Sequence, residues 1–329
     1  MIDLHCDTVS KLASVFHRGD LMHNPYSVDV ERLEKAGALI QCFSTFFDVG
    51  KYGTTRRDEK AYVTANHMID VFEKNLRLCH DKVIFVKKCE DIRQCMDTGK
   101  TGVLLTMEDG TPVGNSLEKL QHFYNRGIRL ITLTWNYENE IGYPNSNDPG
   151  VMASGLKSFG FQALEEMNRL GIIVDVSHLS DGGFWDVAKH TQKPFIASHS
   201  NARSITVHPR NLTDSMITAI AEKGGVIGLN FCPDFLGTDG KSSIAHMLQH
   251  IRHIYQVGGE DVLALGTDFD GIEGKLQIKS CDELYKLREA LLQHKMPERV
   301  IDKMWQGNAL RVMKDILYSG KERLQKRTD

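Results

Sequence analysis

The chain predicts an α/β fold, a closed (β/α)8 TIM-like barrel, on three observations. Eight short apolar runs rich in β-branched and aromatic residues recur along the whole sequence. Segments with helical spacing separate them. The length, 329 residues, suits one such barrel with insertions.

The runs are 2–6, 39–47, 103–107, 130–135, 172–177, 194–198, 226–231 and 262–267. Most are near-continuous apolar stretches, as expected of strands covered on both faces. A long helix is expected over 60–79, where Tyr62, Met68, Ile69, Phe72 and Leu76 recur at helical spacing. The same logic places helices over 117–124, 159–170, 183–190, 214–222, 244–257 and 282–294. A last helix over 297–317 opens with Pro297 near its first turn. Gly127, Gly171 and Gly224 stand between helix and strand, where a helix end wants a left-handed residue. Strand–helix alternation implies parallel βαβ units, and eight of them imply closure. A doubly wound open sheet is the alternative, but no G-x-G-x-x-G follows an early strand. Nothing resembling a linker, repeat or low-complexity segment divides the chain, so 1–329 is expected to be a single barrel domain. The segment 135–155, rich in Asn, Pro and Gly, is expected to form a long loop at the functional end.

Composition narrows the function. Charged residues make up 25% and apolar residues 41%, and the net charge is −3. Without a dominant basic patch, nucleic acid is not the expected partner. The sequence shows neither a secretory pattern nor an apolar run of about 20 residues that could span a bilayer. The polar end SGKERLQKRTD does not suit a lipid anchor. The seven cysteines, at 6, 42, 79, 89, 95, 232 and 281, are odd in number and contain no C-x-x-C. They read as reduced thiols. A cytoplasmic protein with no membrane partner is the expectation.

Candidate ligands gather where the predicted strands end. His5 and Asp7 close the first run, Glu108 the third, His178 the fifth, His199 the sixth and Asp268 the eighth. In a barrel of this kind those ends converge on one mouth. Taken singly, each has a plain explanation: a strand-end His is commonly a core residue, Asp commonly caps a helix, and Glu108 beside Asp109 could be a solvated turn. Taken together they face one small volume. Imidazole and carboxylate suit Zn²⁺ without any thiolate. Three His, two Asp and one Glu exceed what one four-coordinate zinc needs, so two metals bridged by a carboxylate are expected, with Glu108 the natural bridge. A hydroxide between two such metals is a strong nucleophile at neutral pH. The barrel is therefore expected to be of the metal-dependent hydrolase type. Arg210, eleven residues after His199, is either a surface ion pair or a clamp for a substrate carboxylate. His208 is read as structural.

The stretches LHCDT, MEDG, LITLTWN, VDVSHLSD, ASHSNAR, HPRNLTD, GGVIGLNF, GTDFDG and WQGNALRVM, spread from about residue 2 to 317, resemble the renal (membrane) dipeptidase family of binuclear zinc peptidases. The resemblance implies two Zn²⁺ per chain: His5 and Asp7 on the first, His178 and His199 on the second, Glu108 between them. It implies that Arg210 holds a dipeptide's carboxylate and that Asp268 is the acid/base. It also implies a dipeptide substrate, in some relatives one with a C-terminal D-residue, and a homodimer. Two positions depart from the pattern. Trp135 stands where many relatives have a His that polarises the scissile carbonyl, with Asn136 the candidate substitute donor. Cys232 stands where relatives often have Tyr. The animal enzymes' leader, disulfides and lipid anchor have no counterpart in this sequence, so a bacterial-type relative is expected.

Two rival readings use the same residues. One is a binuclear amidohydrolase acting on N-acyl amino acids, lactams or phosphoesters. The other is a non-catalytic, zinc-dependent peptide-binding protein, suggested by the missing His.

Overall fold

The computed structural model describes residues 1–317. The polar end SGKERLQKRTD and the last part of the expected 1–329 domain lie outside them. Eleven strands are present among the described residues: β1 (Ile2–Asp3), β2 (Ile40–Thr45), β3 (Val83–Phe85), β4 (Thr101–Glu108), β5 (Ile128–Thr132), β6 (Ile173–Asp175), β7 (Ile196–Ala197), β8 (Val226–Leu229), β9 (Lys241–Ser242), β10 (Leu263–Leu265) and β11 (Lys275–Leu276).

Eight of them close the expected barrel. The ring runs β1–β2–β4–β5–β6–β7–β8–β10 and returns to β1, every pair parallel. Each expected run contributes one of these strands, most of them shorter than the run itself. β3 was not expected. It pairs with β4 only over Thr101–Val103, below the point where β5 takes over at Leu105 and a bulge shifts the register. Three residues give too little pattern to read. β9 and β11 form a separate two-stranded sheet.

The helices follow the expected spacing with small extensions at their ends: Arg57–Leu78, Leu117–Arg126, Ser158–Leu170, Asp181–His190, Asp214–Glu222 and Ile244–Gly258. Their starts are set by side-chain caps. Ser116, Ser180, Thr213 and Ser243 each accept a backbone N–H from the first turn. Gly127 and Gly171 end two of them in the left-handed conformation. Two expected helices are broken. The 282–294 segment begins as a 3₁₀ turn, Cys281–Glu283, before Tyr285–Gln293. The 297–317 segment comprises Glu298–Asp302, a π-helical turn Lys303–Gly307 and Asn308–Ile316. The helices Val30–Lys35 and Cys89–Thr98 were not expected; each buries only two side chains, too few to show a period. No described helix is long and apolar enough to cross a membrane.

The apolar interior has two parts. The larger packs helices onto the outside of the barrel. The smaller gathers residues at the start of strands, including Ile2, Ile40, Ile173, Ile196 and Val226, with Ala309, Val312 and Met313 of the last helix. That helix therefore covers the N-terminal end of the barrel and leaves the C-terminal end open. Gly228 and Gly266 bring β8 and β10 against β7: a Cβ at either position would collide with the carbonyl oxygen of Ser198.

Candidate metal centre

The six candidates expected at strand ends all sit at the C-terminal rim. Glu108 is the last residue of β4. His5, His199, His178 and Asp268 follow β1, β7, β6 and β10 by two or three residues. Asp7 stands at the head of the short helix Thr8–Leu12. His178 and Asp268 adopt left-handed backbone, φ 65° and 62°, which turns each side chain back over the barrel mouth at a cost on the order of 1 kcal/mol.

Glu108 occupies the middle. Its Oε1 lies 3.0 Å from Nε2 of His178 and 3.3 Å from Nε2 of His199. Its Oε2 lies 3.3 Å from Nε2 of His5. The carboxylate thus gives one oxygen to each half of the cluster. On the His5 side, Nε2 is 3.6 Å from Asp7 Oδ2 and 3.9 Å from Asp268 Oδ1. On the other side, Nε2 of His178 and Nε2 of His199 are 3.1 Å apart.

These spacings test whether the residues fit a metal. Donors about 2.0–2.1 Å from a tetrahedral zinc stand about 3.3 Å from one another, close to what is found. The protein also leaves donors idle: both ring nitrogens of His5 and Oδ1 of Asp7 are buried without a hydrogen-bond partner. Buried polar atoms without partners are costly, and a cation would engage Nε2 of His5, the nitrogen that faces the carboxylates, and the Asp7 carboxylate. The triads His5–Glu108–His199 and His5–Asp7–Asp268 each converge tightly enough to hold an ion. The side chains fit a metal centre.

Electrostatics agree. Burial disfavours charge on every member, and the neighbours decide which keep it. His178 is pushed down to about 4 by burial and by Arg210. His199 is held well below its ordinary value by burial, His5 and Arg210. Both are neutral and ready to donate a lone pair. Burial also opposes charge on His5, but Glu108 and Asp7 outweigh it and hold His5 well above its ordinary value. Glu108 stays well below the usual carboxylate range because His5, His178 and His199 overcome its burial. Burial, with the nearby charge of Glu108, lifts Asp7 to about 6 against the pull of His5. Burial, with Asp7 and Glu108, lifts Asp268 to about 7 against His5 and Asn230.

Arg210 is 4% exposed. A hydroxyl and a carbonyl hold it: Nη1 donates to Ser200 Oγ at 2.7 Å and Nη2 to the His199 carbonyl at 2.8 Å. Its Nε has no partner. The surface ion-pair reading therefore fails, and a buried guanidinium remains beside the imidazoles. Trp135 is half-buried, 4.9 Å from Phe46 and 6.3 Å from His178 between ring centres. Asn136 is exposed, and its Oδ1 lies 3.1 Å from Nδ1 of His178. It serves that imidazole first, leaving only its amide nitrogen for a substrate. His208 packs 4.7 Å from Phe235 and takes the backbone N–H of Arg210, as a structural residue would.

Sequence reasoning missed the supporting residues. Asn230 donates to Asp268 Oδ2 at 2.9 Å and to the His199 carbonyl. Gly271 lies so near Asp7 and Asp268 that a Cβ would meet both carboxylates. Asp175 and Ser198 sit beneath His199. A strand-end Asp two residues before Ser-His in VDVSHLSD was the available signal for Asp175.

A parallel (β/α)8 barrel whose rim carries imidazoles and carboxylates around a shared Glu is a metal-dependent hydrolase. The chain belongs to the membrane dipeptidase family, peptidase family M19, whose model matches residues 1–327. It is 34% identical over 251 residues to an uncharacterised protein of Klebsiella pneumoniae, covering 73% of this chain and 89% of that one. Its structure is similar to that of a dipeptidase described as an M19 metallopeptidase, with TM-score 0.86, 27% identity and coverage of 97% and 98%. It is also similar to a Rhodobacter sphaeroides metallopeptidase solved with a phosphinate mimic of L-Ala-D-Ala, with TM-score 0.84, 25% identity and coverage of 96% and 98%. The chain is a dipeptidase by this membership.

The charge distribution has a measurable consequence. His5 holds a proton at neutral pH and Asp7 holds one for part of the time, whereas ligation requires both without; Asp268 also holds a proton for part of the time, and cations beside it would favour its loss. Metal uptake near pH 6.5 is therefore expected to release protons, and affinity to fall as pH falls. Calorimetric titration of the metal-free protein in two buffers of different ionisation enthalpy measures this; identical heats in both would contradict it.

Proposed function

We propose that the chain cleaves dipeptides at a centre of two Zn²⁺ ions, held by His5 and Asp7 on one side, His178 and His199 on the other, and Glu108 between. The observation that carries this reading is the division of Glu108, one oxygen toward His178 and His199 and the other toward His5. When bound, zinc would supply Lewis acidity and lower the pKa of a coordinated water.

The protein's own groups do the rest. Arg210 binds the carboxylate of the dipeptide; its buried, partnerless Nε supports that role, because a guanidinium in a dry site gains most from an anion. Asp268 moves the proton. Asn230 ties down its Oδ2, so Oδ1 is the oxygen that takes a proton and returns it to the departing amine. Its pKa of about 7 without metal suits exchange near neutrality, and cations beside it favour the ionised form that starts as base. Trp135 and Phe46 form an apolar wall near His178, which shields that side of the reacting centre from water. The amide nitrogen of Asn136, whose oxygen meets His178, is a neutral donor for a developing oxyanion. The phosphinate bound by the Rhodobacter protein supports L-Xaa-D-Xaa among the substrates. The proposal includes a homodimer in the cytoplasm. The unbridged Cys6, Cys42, Cys79, Cys95, Cys232 and Cys281 support a reducing compartment.

Turnover of L-Ala-L-Ala and L-Ala-D-Ala, with metal counted per chain, tests the reading. Two zincs, activity lost to a chelator and regained with Zn²⁺, are expected. Two metals without cleavage of any dipeptide would move the site to acyl or cyclic amides, and binding without turnover would make it a peptide-capture protein. Asp268→Asn is expected to lower kcat by about 10²–10⁴-fold while zinc stays bound; near-normal turnover would remove Asp268 from the mechanism. Arg210→Met is expected to lower kcat/KM by roughly 100-fold on free dipeptides but far less on dipeptide amides, which lack the carboxylate. An equal loss on both would assign Arg210 to the scaffold.

A further inference from the structure

His199 is fully buried, and its Nδ1 lies 2.7 Å from the hydroxyl oxygen of Ser198. The same oxygen lies 2.6 Å from Oδ2 of Asp175. A hydroxyl has one proton to give. Asp175 is surrounded by donors: Oδ1 accepts from the backbone N–H of Ser177 at 3.0 Å and of Ser198 at 2.8 Å, and Oδ2 accepts from Thr132 Oγ1 at 2.6 Å. It acts as an acceptor throughout, so the Ser198 proton points to it. The hydroxyl oxygen is then left to accept from His199. That places the imidazole proton on Nδ1 and leaves a lone pair on Nε2, the nitrogen that faces Glu108 and His178.

We propose that Asp175 and Ser198 are positioning residues of the metal centre, acting as an Asp175–Ser198–His199 chain that fixes the tautomer and ring direction of His199. This rests on the reading that His199 holds a metal. Outer partners of this kind orient an imidazole and raise its basicity. The chain is rigidly mounted. Asp175 spans β5, β6 and β7 through Thr132, Ser177 and Ser198, and Gly228 and Gly266 let two strands close on the Ser198 carbonyl. Ser177 Oγ, 3.4 Å from Ser198 Oγ, is too far to compete for its proton. The partner imidazole is held differently. Nδ1 of His178 faces Asn136, an exposed side chain on a loop. The two ligands of one half-site thus have unequal support, and the fully buried His199 depends on Ser198.

Zinc titration of metal-free protein against a competing chelator tests this, comparing wild type with Ser198→Ala. The variant is expected to bind one of its two ions about 10–100-fold more weakly and to keep wild-type affinity for the other. Unchanged affinity at both sites, or equal loss at both, would overturn the proposal; equal loss is what a general structural defect produces. Should Ser198→Ala not fold, the wild type decides. In zinc-loaded protein labelled at its histidine nitrogens, the Nδ1 proton of His199 is expected to exchange slowly with solvent. A rapidly exchanging or missing Nδ1 proton would overturn the chain. Wild type that binds no zinc would sink the metal reading itself, a result distinct from either.

Discussion

A single buried carboxylate, Glu108, organises the open end of this barrel. A charge so deep is tolerable only when countercharge or donors surround it; protonated His5 supplies countercharge on one side, and a cation held between Glu108 and the lone pairs of His178 and His199 would supply it on the other. The demand reaches far into the fold. β4, which carries Glu108, is the longest barrel strand, and it is paired with β2 along six residues. The ligand that must serve both halves is thus on the best-anchored strand. The closed ring then fixes how near β1, β6 and β7 can bring their histidines. Stability at this end and affinity for cations are two aspects of the same electrostatic arrangement.

Two arginines in one loop show how the structure separates scaffold from site. Arg203 is heavily engaged: both its terminal nitrogens meet Asp181, and it also donates to the carbonyls of Asn211 and Pro209. It pins the loop. Arg210, seven residues on, is more deeply buried yet keeps Nε unpartnered. The first has its charge paired with a carboxylate of the scaffold, and the second is held only by a hydroxyl and a carbonyl. Buried His250 helps hold the same loop in place, accepting the backbone N–H of Ala202 and facing the carbonyl of Leu236. Burial pushes its pKa down to about 4, so it stays neutral in this role.

The barrel was legible because its strands are buried on both faces, and continuous apolar runs such as 103–107 survive any local irregularity. The ligands were legible for a related reason: parallel strands put their ends together, so six chemically apt residues at strand ends had to converge. What escaped depends on side-chain direction or on very short pattern. β3 is three residues long. The π turn at Lys303–Gly307 leaves helical spacing nearly intact while shifting the register. Asn136 was expected to face the substrate, but its oxygen turns to His178, a choice that only the neighbouring loop decides. Ser198 and Asp175 looked like ordinary strand residues, because a hydroxyl between a carboxylate and an imidazole leaves no periodic trace.

The left-handed backbone at His178 and Asp268 governs what can be learned by exchanging them. Asn and Gly enter that region most readily, and most other residues lose about 1 kcal/mol there. An alanine at either position would therefore remove a functional group and relax a turn in the same stroke. Sequence diversity at these two points is restricted by chain geometry before chemistry is consulted. The same geometry holds both side chains in the aim from which the site is built.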